Sequence, residues 1–169
     1  MKIQRLVSTL LTLAALTTPM TVKADEVTDW NQIMQTTVAS GNANVQARSG
    51  AIVQLAVFEA VNSIIGDYEP YLGTITAPPG ASPDAATIAA AHRTLVTLFS
   101  GSAGNLNTLR ESALAAIPAG PAKEDGIAVG EVAAAAMLLL RANDGAAQAG
   151  TTPYRSEEHT SELQSPNTI

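Results

Sequence analysis

Few residues in this chain are of a type that does chemistry, and histidine comes first because its proton moves near neutral pH. His92 is one of two histidines, and the other, His159, lies in a terminal stretch set apart below. A metal or nucleophile site needs partners, yet the 169 residues include no cysteine, so neither a cysteine-bearing zinc site nor a Cys-His pair can be built around His92. It follows Ala91 and precedes Arg93 in an alanine-rich helical stretch. The expectation is a partly buried, hydrogen-bonded structural histidine.

Glu59 and Asn62 come next. They fall in AIVQLAVFEAVNSII, a run so apolar that a polar side chain within it needs a partner. No second carboxylate stands at a helical offset that would make a metal or acid-base pair with Glu59. Buried hydrogen bonding or interhelical pairing is expected of both. Asp67, Tyr68, Glu69 and Tyr71 make a polar, aromatic loop that can line a cleft, although loop acids are ordinarily solvated. Phe99-Ser100-Gly101-Ser102-Ala103-Gly104 lacks the Gly-Lys-Ser/Thr ending and the preceding strand of a phosphate loop, so it is read as a turn. Lys123, Glu124 and Asp125 are read as the solvated first turn of a helix. No residue is assigned a catalytic, cofactor-binding or metal-ligating role.

The elements that would position these side chains are helices, since no strand-like alternation of any length and no internal repeat occurs. A first helix is predicted from about Thr28 to Ser40, with Trp30, Ile33, Met34, Thr37 and Val38 on one face, stopped by Gly41. A second runs from about Ser49 to Ile65, apolar nearly all round, with Gly66 as its C-cap. Pro70, Pro78 and Pro79 argue against regular structure in the next stretch. Ser82-Pro83-Asp84 opens a third helix with a capping hydroxyl, a first-turn proline and an acid on the positive end of the dipole, and it is expected to reach Phe99. A fourth is expected from Asn105 to Ile117 and a fifth from Ala122 to Ala142, ended by Asn143-Asp144-Gly145. The fold class expected is an all-α helical bundle, its alanines letting helices approach closely.

At the N-terminus, Lys2 and Arg5 precede the apolar run Leu6 to Leu16, and Val22-Lys23-Ala24 makes a small-x-small cleavage site. That pattern is a secretory signal peptide over residues 1–24, the run being shorter than the roughly 20 residues a membrane span needs. The product is expected to be exported, periplasmic or extracellular, with no membrane span after cleavage. Between Asp25 and Tyr154 stand 5 bases and 12 acids, a net of −7 with no basic cluster, which excludes a nucleic-acid footprint.

After Tyr154 helical periodicity stops. Arg155 to Ser165 reads RSEEHTSELQS, identical to one reading frame of a common sequencing adapter, with an index and further adapter bases accounting for the residues through Ile169. Residues 155–169 are therefore taken as non-native, which removes His159 from consideration, and 25–154 as the helical region proper.

The ordered stretches carry a resemblance. Thr28-Asp29-Trp30-Asn31, then AVFEAVNSI (56–64) and YEPYL (68–72), then GASPDAATIAAAHRTLVTLF (80–99), then AAIPAGPAKEDGIAVGEVAAAAMLLLRANDG (115–145) form an ordered set. That set resembles the N-terminal helical region of exported bacterial vanadium-dependent haloperoxidase-like proteins, which belong with the phosphatidic-acid-phosphatase type 2 superfamily. It covers nearly all of Val27 to Gly145, and Phe58-Glu59 departs from the tyrosine and aspartate more usual there. The resemblance implies the N-terminal part of a larger α-helical fold that binds vanadate, or phosphate in the phosphatase relatives. It also implies small-molecule substrates: halide, hydrogen peroxide and an organic acceptor. The family's oxyanion ligands come from a lysine and an arginine before proline, a Pro-Ser-Gly-His segment, and a Ser-Arg segment followed by histidine. None occurs here: Lys123 has no following Arg-Pro, and His92 follows alanine rather than glycine. No catalytic residue is carried over. Three readings stay open: a fragment of a haloperoxidase-like enzyme without its catalytic half, a fragment of a related acid phosphatase, or a free-standing helical binding or structural protein.

Overall fold

The computed structural model describes residues 25–149. The signal-peptide reading of residues 1–24 and the adapter reading of 155–169 lie outside the described residues.

The chain is all-α. Asp25 caps helix α1 (Glu26–Val38), its carboxylate accepting from the Val27 N–H at 3.2 Å, and Trp30, Met34 and Val38 form a buried ridge at four-residue spacing. Helix α2 (Ala43–Ile65) starts six residues before the expected Ser49, because the Asn42 side chain accepts from the Val45 N–H at 3.1 Å and caps it. Its first turns are largely exposed, which is why they show no apolar periodicity. Gly66 closes α2 in the left-handed region at φ +79°, where glycine alone is unstrained.

Residues 67–82 carry no helix, as the prolines indicated. Helix α3 (Pro83–Leu98) begins on the Ser82 hydroxyl, which accepts from Ala85 N–H at 3.2 Å, and every residue from Ala85 to His92 is buried. The stretch read as a turn, Phe99 to Gly104, holds a 3-10 turn (Ser100–Ser102) that runs straight into helix α4 (Ala103–Ala115), two residues ahead of the expected Asn105 to Ile117 at each end. Helix α5 (Pro121–Leu140) stops two residues before the expected Ala142. A short α6 (Ala146–Ala149) follows, which helical periodicity did not reveal. Among the described residues no helix is long and apolar enough to cross a membrane.

Helix α3 is the axis of the bundle. Helices α1 and α2 form an antiparallel hairpin, joined where Gln54 donates to Asn31 Oδ1 at 2.7 Å. Helix α2 also runs antiparallel to α5: Arg48 near its start grips the Asp144 carboxylate at 2.8 and 3.1 Å and the Arg141 carbonyl at 3.2 Å. Helices α3 and α5 run parallel, with α4 as the connection between them. Their starts are tied by Ser82 N–H donating to the Ala122 carbonyl at 2.8 Å. Farther along, Gly126 faces Ser82 and Ala85, and Gly130 faces Ala86, Ala89 and Ala90. These small residues let two backbones approach as bulkier ones cannot. Ile88, Leu95, Leu106, Val129 and Met137 fill the space around them.

Candidate functional site

Besides the Arg48–Asp144 clasp, polar side chains gather in two places among the described residues. The first is the end of α2, where Glu59 and Asn62 lie one turn apart on the same face and hold the following loop. Asn62 acts as a surrogate strand: its Nδ2 donates to the Tyr68 carbonyl at 2.8 Å and its Oδ1 accepts from Tyr68 N–H at 2.9 Å. The Glu59 carboxylate, 2% exposed, accepts from the backbone N–H groups of Tyr71 and of Leu72, the latter at 3.0 Å. The partners are loop backbone rather than a second helix, and they explain how a carboxylate sits inside an apolar helix face. Asp67 and Glu69 are exposed, Asp67 at the rim of the groove described next, and Tyr71 reaches across to receive a bond from the Arg141 guanidinium at 3.2 Å.

Anchoring this loop creates a groove. Val27 of α1, Gln54, Val57, Phe58, Val61, Asn62 and Ile65 of α2, and Asp67 and Tyr68 of the loop enclose about 280 Å³ with mostly apolar walls. The Phe58 and Tyr68 rings meet at 6.3 Å between centroids, tilted by 50°.

The second place lies among α3, α4 and α5. His92 Nε2 and the Asn107 side-chain amide are hydrogen-bonded at 2.8 Å. His92 Nδ1 is buried with no hydrogen-bond partner among the described residues, and the ring stands edge-on to Trp30 at 6.3 Å. Burial pushes the His92 pKa below 6.5; the Asn107 bond opposes that shift, the Arg110 charge adds to it, and Glu131 opposes it. Alongside, Glu131 takes Arg93 on one oxygen at 3.0 Å and Arg110 on the other at 2.9 Å. Periodicity did not point to Asn107, Arg110 or Glu131, because each pairing joins two different helices and periodicity reads only one.

This cluster does not fit a vanadate or phosphate. The two guanidiniums are already bridged by Glu131, and Nδ1 of His92 is sealed from solvent. Among the described residues no group of three or more His, Asp or Glu is placed to hold a metal ion. The expectation for Lys123 needs correcting. Rather than standing in solvent, its ammonium donates to the Leu114 carbonyl at 2.6 Å and to the Ile117 carbonyl at 3.5 Å, closing the end of α4. Glu124 is exposed, as a first-turn acid should be.

No protein-family model, curated protein or solved structure matches the chain.

Proposed function

We propose that this region is the helical N-terminal scaffold of an exported vanadium-dependent-haloperoxidase-like enzyme. In this reading the vanadate-binding residues come from sequence other than 25–149, and the complete protein uses peroxide to oxidise halide. The reading rests on the resemblance, and one observation supports it: the stretches that carry the resemblance are those that lock the bundle. AVFEAVNSI supplies Glu59 and Asn62, which hold YEPYL through its backbone. GASPDAATIAAAH supplies the Ser82 cap and the alanines, against which the glycines of DGIAVGEVA fit. On the outer side of α5, Val132 is 55% and Leu139 77% exposed, an apolar surface that further helices of a larger enzyme would cover.

The test is to sequence the source DNA past the Tyr154 codon and assay the encoded product. An open frame with an Arg-Pro, a Pro-Ser-Gly-His and a Ser-Arg-to-His segment, and vanadate-dependent bromide oxidation by the product, is the expected result. Phosphate-ester hydrolysis without halide oxidation would move the assignment to the acid phosphatases. An immediate stop codon, with cooperative unfolding of the chain on its own, would overturn both in favour of a free-standing helical protein.

A further inference from the structure

We propose that the groove between α1 and α2 binds a cationic amphiphile, a primary ammonium on an aliphatic or aromatic body. The body would lie on Val57, Phe58, Val61 and Ile65, with the ammonium at Asp67. The inference is independent of the enzyme reading, since it uses only the α1–α2 hairpin and the loop that Glu59 and Asn62 hold.

Shape and wall chemistry give the body. From Gln54 to Ile65 the lining follows one face of α2 through eleven helical steps, about 16 Å at the helical rise, so the groove is long rather than round. At about 280 Å³ it stands at the small end of ligand sites. Ile65 is 52% exposed at its rim, and the tilted Phe58–Tyr68 pair offers ring faces to an alkyl chain, a ring or a cation.

The polar groups give the charge. Asn62 is used up at both ends by Tyr68, and the Gln54 amide nitrogen is committed to Asn31. What remains on the lining are Gln54 Oε1 and the Asp67 carboxylate, which only accept, and the Tyr68 hydroxyl, which can accept as well as donate. A complementary ligand therefore donates. It is also positive, because all five basic side chains of the region are engaged elsewhere. Arg48 holds Asp144, Arg93 and Arg110 hold Glu131, Lys123 closes α4, and Arg141 reaches Tyr71. Asp67 has no ion-pair partner among the described residues and is the one charged side chain on the lining.

The experiment is an NMR titration of the chain with n-octylammonium, n-octanoate and n-octanol, each kept below self-association. Saturable shifts at Val57, Phe58, Val61 and Asp67 with octylammonium, weaker ones with octanol and none with octanoate are expected. Asp67→Asn should weaken octylammonium about threefold, the scale of an exposed ion pair, while Asp84→Asn on α3 changes nothing. Phe58→Ala should weaken both octylammonium and octanol. If that variant unfolds, the exposed Asp67 carries the test alone. Equal binding of octanoate would overturn the charge argument. Shifts spread over Asp84 and Glu124 would mean general attraction to an acidic chain and overturn the site. Shifts that follow protein concentration alone would make a second copy the occupant and overturn it as well.

Discussion

Gly130 lies so close to Ala86 that a Cβ on it would stand 2.3 Å from the Ala86 carbonyl oxygen and 2.8 Å from the Ala89 Cβ. Helices α3 and α5 are in backbone contact there, and neither obstacle is the flexible end of a side chain. Gly130→Ala must therefore push the helices apart, and a loss of about 2 kcal/mol is expected from overpacking, read as a lower denaturation midpoint. Gly104 supplies the contrast, since nothing lies within 4 Å of a Cβ there and it sits in the first turn of α4. Gly104→Ala should stabilise by about 0.5 kcal/mol through the unfolded chain.

That contact shows where the sequence is legible and where it is not. Signals within one turn of chain could be read: Ser82 caps α3, Gly66 ends α2, and Trp30 and Met34 face inward. The need of Glu59 and Asn62 for partners was readable from their apolar surroundings, but the identity of those partners was not, because backbone N–H groups of a loop carry no side-chain signature. Asn42 was missed because the turns it starts are solvated. Lys123 looked like a surface residue because the carbonyls it closes belong to another helix. The Arg93–Glu131–Arg110 bridge depends on how α3, α4 and α5 are set against each other, and no periodicity within a single helix encodes that.

His92 makes stability depend on pH in a stated direction. Its folded pKa lies below 6.5, chiefly through burial, so between the two values the unfolded chain binds more protons than the folded one. Its contribution is complete above the unfolded value of 6.5 and is lost as pH falls from there through the folded value. Midpoints measured from pH 7.5 to 5 should decline below about 6.5, and His92→Gln should flatten that part of the curve. An unchanged slope in the variant would place the titration on another group.

Glu131 provides a second handle on the same ring. It raises the His92 pKa while Arg110 lowers it, so Glu131→Gln should move the His92 midpoint down and Arg110→Met should move it up, both followed by the imidazole proton shifts. The effect of Glu131→Gln on stability should stay within about 1 kcal/mol, because Arg93 and Glu131 are partly solvated and water screens the pair. A loss several times larger would mean that the bridge is far better shielded than its exposure indicates.

The loop clamp predicts a local rather than a global failure. Glu59→Ala leaves the N–H groups of Tyr71 and Leu72 without their acceptor, a cost of about 1–3 kcal/mol for each that stays out of water. The loop can avoid much of that cost by lifting off α2, because residues 67–82 have no helix of their own to maintain. Amide exchange at Tyr71 and Leu72 should therefore accelerate strongly while exchange in α3, including Ile88 and Leu95, keeps its protection. Glu59→Gln retains a carbonyl oxygen in the same place and should preserve most of the protection. Loss of protection in α3 as well would show that the clamp supports the whole bundle, through Tyr71 and its bond to Arg141 at the end of α5.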